Sequence, residues 1–133
     1  MAFATAPLVT VVDDDEAIRE ALESLLKSAG FRAAVFGSAE GFLASGHLDE
    51  ISCLILDVRM PGMSGFELQE RLVAADNRIP IIFITAHADE AARARAGASG
   101  AIAFLSKPFA EEALLEAVRA TTEPDTGDSS ELS

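Results

Sequence analysis

Short apolar runs alternate along this chain with longer stretches in which apolar residues recur every three or four positions. The runs cover residues 8–12, 32–36, 52–56, 80–84 and 101–105. Runs of this length without internal alternation suit strands buried on both faces. The intervening stretches read as helices. Ile18, Leu22, Leu25 and Leu26 form one helical stripe, which Ala29-Gly30 ends. Ser38 can cap a short helix carrying Phe42 and Leu43. Ser64-Gly65-Phe66-Glu67 fits a capping box and opens a helix with Leu68, Leu72 and Val73 turned inward. Pro80 suits a strand's first position, where no ladder donor is needed. Residues 88–97 predict a helix with a weak apolar face, broken by Gly97, Ser99 and Gly100. A last helix over 110–121 carries Leu114, Leu115 and Val118. Regular strand–helix alternation predicts an α/β fold, a doubly wound five-stranded parallel sheet covered on both faces.

The chain of 133 residues is read as one domain over 1–121, followed by an acidic, disordered tail over 122–133 that Pro124 and Gly127 interrupt. At this size folding buries about 68–70% of the unfolded surface, so a core needs no covalent staples. The net charge of -12 excludes a nucleic-acid surface built on phosphate contacts. Cys53 is the one cysteine, so no internal disulfide forms, which fits a cytoplasmic location. No signal peptide is recognisable, and no apolar run approaches the ~20 residues of a membrane helix.

Polar residues at the ends of the runs change the picture. Asp13 and Asp14 follow the first run, Asp57 the third and Thr85 the fourth, and Lys107 follows the fifth by two residues. In parallel strands all of them emerge at one edge of the sheet. In the order 2-1-3-4-5, strands 1 and 3 flank the point where connections reverse, the usual ligand crevice. Three carboxylates held together repel one another, and a divalent cation relieves that cost. Hard oxygen ligands suit Mg²⁺, or alternatively Mn²⁺. An aspartate beside such a cation can act as nucleophile toward a phosphoryl group. Asp57 is the candidate, with Lys107 and Thr85 to bind the remaining phosphoryl oxygens.

The residues Val11-Val12-Asp13-Asp14-Asp15, Asp57-Val58-Arg59-Met60-Pro61-Gly62-Met63-Ser64-Gly65, Thr85-Ala86 and Lys107-Pro108-Phe109 together resemble the receiver domain of bacterial two-component response regulators, across roughly 6–120. The Val-Arg-Met-Pro-Gly run after Asp57 is similar to nitrogen-fixation and nitrogen-control regulators. This resemblance implies a flavodoxin-like (βα)5 fold. It implies that Asp57 accepts a phosphoryl group from a histidine kinase or histidine phosphotransfer protein. It implies Mg²⁺ held by Asp13, Asp14, Asp57 and the Arg59 backbone carbonyl, with Asp13 acting mainly through water. It further implies a cis bond at Lys107–Pro108, a switch formed by Thr85 and Phe104, and tuning of phosphate lifetime by Arg59 and His87. Such a domain is a phosphoacceptor that catalyses only its own phosphorylation and dephosphorylation. The kinase is expected near Ile18 and Leu22, and a possible homodimer through the face around 86–119, with no direct contact to nucleic acid or membrane. With no output domain after residue 120, the chain reads as a single-domain receiver or one excised from a longer regulator.

Simpler roles compete at single positions. Asp15 is read chiefly as the cap of the first helix. A metal-dependent phosphohydrolase also uses a strand-end aspartate, but Arg59 stands where its second, acid/base aspartate belongs. A binding module that works without phosphorylation has no need of all five site residues.

Overall fold

The computed structural model describes residues 6–46, 48–86 and 89–122. Its elements run β1 (Leu8–Val12), α1 (Glu16–Ser28), β2 (Arg32–Phe36), α2 (Ala39–Ala44), β3 (Ile51–Asp57), α3 (Gly65–Ala74), β4 (Ile81–Thr85), α4 (Glu90–Ala98), β5 (Ala103–Ser106) and α5 (Glu111–Thr122), with one 3-10 turn at Leu48–Glu50 before β3. The strands form one sheet in the order β2-β1-β3-β4-β5, and every neighbouring pair is parallel.

Successive side chains of a strand point to opposite faces, so each apolar run feeds two cores. Leu54, Leu56 and Phe83 pack with Phe42, Phe66, Leu68 and Leu72 from α2 and α3. Cys53, Ile55, Ile82 and Ile84 pack with Leu22 and Leu26 of α1 and Leu114 and Val118 of α5. Each such side chain contributes about 1.5–3 kcal/mol of burial. The middle strands β3 and β4 are thereby fixed from both sides, and their C-terminal ends carry the chemistry.

Local signals agree with the elements. Ser38 caps α2 by accepting from Gly41 N. Ser64 and Glu67 close both halves of a capping box at α3. Asp15 caps α1, accepting from the amides of Ala17 and Ile18. Gly30 at φ 96° and Gly100 at φ 87° carry the turns after α1 and α4, a backbone region open to glycine.

Five expectations shift. β3 and β4 extend to Asp57 and Thr85 themselves, which pair with Ile84 and Ser106 in the ladder. These residues are the last rungs of the sheet and not the first residues beyond it. Val73, expected inward, is 61% exposed. It lies about 100° around α3 from buried Leu72, and the inward place one turn earlier belongs to Gln69, whose amide donates to Ser99 O at 3.5 Å. Gly97 stays inside α4, which ends at a Ser99 cap. Ala101 and Ile102 precede β5, and Ile102 is 47% exposed. Finally, α5 runs over Glu111–Thr122, one residue later at each end than the 110–121 expected of it, and 123–133 lie outside the described residues.

Helix α4 buries only Ala96 among its residues. Arginines supplement this thin apolar contact: Arg95 stacks on Phe66 at 4.5 Å and Arg93 on Phe104 at 4.9 Å. Arg95 also pairs with Glu70 at 2.9 Å.

Candidate functional site

Asp13 is where β1 leaves the sheet. Its amide donates to Phe36 O at 3.1 Å. Its Oδ1 accepts from Asp15 N at 2.9 Å, closing a tight turn around Asp14 at the sheet edge. Its Oδ2 is buried, with no hydrogen-bond donor aligned on it. The Lys107 ammonium meets that oxygen at 2.8 Å as an ion pair lacking a hydrogen bond's direction.

Asp57 closes β3 and is only 4% exposed. Its Oδ1 accepts weakly from Arg59 N at 3.4 Å, and its Oδ2 lies 3.7 Å from Lys107 Nζ. Val58 N bonds to Ile84 O at 2.9 Å, and Gly65 N returns to Val58 O at 2.9 Å, so the loop after Asp57 folds back on the strand. Gly65 is required there, because any Cβ would strike the Asp57 carbonyl.

Thr85 ends β4 fully buried, and its carbonyl accepts from Lys107 N at 2.7 Å. That bond fixes the turn after β5, where the Lys107–Pro108 peptide is cis. Lys107 thereby reaches across β4 to the acids at the ends of β1 and β3. Phe104, paired with Phe83 across the β4–β5 ladder, is half-buried two residues before Ser106, the rung opposite Thr85.

One carboxylate oxygen from each of Asp13, Asp14 and Asp57 lies within 4.8 Å of the others. Burial, followed by the Asp13 charge, pushes the Asp57 carboxyl up to about 7, against the pull of Lys107 and the Arg59 amide. Burial also works against the Lys107 ammonium. Asp13, beside it, with Asp57 and Asp15 farther off, nonetheless holds its pKa above the ordinary lysine value. Three clustered carboxylates facing a single ammonium, one of them reluctant to ionise, mark a negative cluster short of positive charge. The donor set and its spacing could hold a hard divalent cation.

The structure thus gathers Asp13, Asp14, Asp57, Thr85 and Lys107 at one sheet edge, as expected from the strand ends. Arg59 lies at the rim, its guanidinium 3.6 Å from the Asp89 carboxylate that also caps α4. His87 lies outside the described residues. Two contributors were not anticipated. Arg19 of α1 donates to the Asp13 carbonyl at 2.8 Å. Glu40 of α2 accepts from Met63 N at 3.1 Å and braces the loop after Asp57. Neither belongs to a local motif; both act across elements that only folding brings together.

Comparison with known proteins agrees with this architecture. Residues 9–119 match the response regulator receiver domain family. The chain is 48% identical over 121 residues to Nodulation protein W of Bradyrhizobium diazoefficiens, covering 91% of this chain and 53% of that protein. It superposes on the response regulator StyR with a TM-score of 0.83 at 51% identity, covering 90% of this chain and 60% of that one. A response regulator receiver protein from Burkholderia phymatum gives a TM-score of 0.76 at 43% identity, covering 87% and 94%. The chain spans about half the length of the curated relatives it matches. By sequence match, sheet order and clustered strand-end residues alike, this chain belongs to the response regulator receiver domain family of bacterial two-component signalling.

Proposed function

We propose that Asp57 is the phosphoacceptor of this receiver, taking its phosphoryl group from the phosphohistidine of a histidine kinase or phosphotransfer protein in a Mg²⁺-dependent reaction. The observation that carries this reading is the position of Lys107 Nζ, within 2.8 Å of Asp13 and 3.7 Å of Asp57 across the ends of three strands. A surface lysine has no reason to be held there. A cation that binds phosphoryl oxygens beside an aspartate nucleophile does.

Asp57 Oδ attacks phosphorus in line with the donor nitrogen. The O–P bond forms as the N–P bond breaks, and the imidazole departs with a proton gained. Lys107 and Thr85 bind equatorial oxygens and stabilise the charge spread over them. Asp13, Asp14, Asp57 and the Arg59 carbonyl are the groups that would hold Mg²⁺. When bound, Mg²⁺ neutralises the acids and the transferring group and lowers the pKa of Asp57. Mn²⁺ suits the same donors.

The phosphorylated form then draws Thr85 inward and reorients Phe104. This alters the face around 86–119, where a second copy or a downstream partner binds. The weak apolar hold on α4 supports this reading. Arg59, at the rim, and His87, two residues after Thr85 in the sequence, set how long the acyl phosphate survives. The domain is a signalling module and not a classical enzyme; its chemistry is confined to its own phosphorylation and dephosphorylation. Among the described residues no helix is long and apolar enough to cross a membrane, and a buried, unpaired Cys53 suits a cytoplasmic setting. The receiver is read over 1–121, with the acidic residues beyond it as a tail.

Intact-mass measurement after incubation with acetyl phosphate tests the proposal. A single phosphoryl adduct that requires Mg²⁺ and disappears in Asp57→Asn is the expected result. An adduct of equal yield in Asp57→Asn, or without divalent cation, contradicts it.

A further inference from the structure

Asp13 is held at nearly every polar atom, and one of its restraints comes from outside the acidic cluster. Arg19 Nη1 donates to the Asp13 carbonyl at 2.8 Å in a partly buried contact. The guanidinium lies in a slot beside Gly37, in the turn between β2 and α2, where a Cβ would stand only 3.1 Å from Nη1. Thus α1, the end of β1 and the turn after β2 meet at one guanidinium.

The consequence falls on Asp14. Asp14 is exposed, and among the described residues no hydrogen-bond donor holds its carboxylate. Its place beside Asp13 and Asp57 is set by the backbone turn. That turn is closed by the Asp15 N to Asp13 Oδ1 bond and by whatever fixes the Asp13 carbonyl. The carbonyl's orientation fixes the plane of the Asp13–Asp14 peptide, and that plane aims Asp14.

We infer that Arg19, seated against Gly37, is a positioning residue that aims the Asp14 carboxylate into the cation site by fixing the Asp13 carbonyl. This rests on the cation site of the proposed function. Residues that orient ligands from behind typically affect metal affinity by about 10–100-fold. Among the described residues Arg19 makes no hydrogen bond or ion pair to a carboxylate of the cluster, so its action is through the backbone and not by charge pairing.

The test is Mn²⁺ binding to the full chain, followed by the paramagnetic resonance signal of the free ion, together with amide hydrogen exchange in the metal-free protein. Arg19→Met removes the donors and keeps the length. It is expected to weaken Mn²⁺ binding by about tenfold. The same change in an Asp14→Asn background is expected to cost almost nothing further, because the ligand it aims is gone. Without metal, exchange at Asp15 N is expected to speed up in Arg19→Met while Leu54 and Ile55 in the core stay protected. Gly37→Ala, which only crowds the slot, is expected to weaken binding by a smaller factor and keeps a readout should Arg19→Met fold poorly. Parental affinity in both Arg19→Met and Gly37→Ala overturns the inference, as does an equal loss with and without Asp14. A parent that binds no Mn²⁺ overturns the cation site itself. In that event unchanged exchange at Asp15 in Arg19→Met independently rules out the positioning role.

Discussion

The Lys107 ammonium lies nearer to Asp13 Oδ2, at 2.8 Å, than to Asp57 Oδ2, at 3.7 Å. The resting site is thus organised around a buried ion pair between the turn after β5 and the end of β1, with the nucleophile beside it and not locked into it. A phosphoryl group on Asp57 would offer Lys107 new oxygens on the side it already faces.

Removing Lys107 leaves the Asp13 carboxylate buried without its cation. Lys107→Met is expected to destabilise the metal-free domain by about 3 kcal/mol, the scale for breaking a buried pair from one side. Lys107→Met with Asp13→Asn is expected to regain most of that loss. Urea unfolding of the four proteins in a double-mutant cycle measures the coupling. Additive losses contradict a paired arrangement.

The raised pKa of Asp57 makes a signed prediction for stability. The unfolded chain gives up this proton near pH 4, whereas the folded chain keeps it until about 7. Between those values the unfolded state binds fewer protons at this group, so stability falls as pH rises. The slope reaches at most about 1.4 kcal/mol per pH unit and flattens above pH 7. Other carboxylates contribute slopes of their own, so the observable is the difference between the parent and Asp57→Asn in chelator. The variant is expected to gain relative stability from pH 4 to 7 and hold that gain above it. A flat difference contradicts the shift.

Gly65→Ala places a methyl against the Asp57 carbonyl. Overpacking of this kind costs about 1–3 kcal/mol. Since the clash is with the residue that bears the nucleophile, phosphorylation by acetyl phosphate is expected to fall more than stability does. Thermal unfolding and adduct yield, measured on the same sample, separate the two effects.

Arg59 is 58% exposed and pairs with an equally exposed Asp89. Such pairs contribute about 0–1 kcal/mol, so Arg59→Ala is expected to leave stability nearly unchanged. Its place at the rim predicts a shorter acyl-phosphate lifetime, because water reaches Asp57 more freely. Decay of the phosphoryl adduct followed by intact mass tests this; an unchanged lifetime removes Arg59 from the tuning role.

Much of this architecture was legible in the sequence because two periodicities rarely mislead together. Apolar runs of strand length, each followed by a 3.6-period stripe, left few alternatives to a parallel sheet. The site was legible for a related reason: parallel strands turn sequence positions at run ends into neighbours in space. Val73 misled because helix periodicity fixes a face only to within a residue, and Val73 stands beside the C-terminal end of α3, about 100° around from buried Leu72. Arg19 and Glu40 were illegible for a different reason. Arg19 acts on a backbone carbonyl six residues earlier, and Glu40 on an amide in a loop that the sheet order alone brings near. No residue-type pattern announces a side chain that bonds to distant backbone.

The measurement that bears most directly on the central claim locates the phosphoryl group. The protein is phosphorylated in Mg²⁺, reduced with borohydride, digested and sequenced by mass spectrometry. Reduction converts an aspartyl phosphate into homoserine, which marks the residue that carried it. Homoserine at position 57 alone is the predicted result. Homoserine at position 13 or 14, or a phosphoryl adduct that resists reduction altogether, contradicts the assignment of Asp57 as the acceptor.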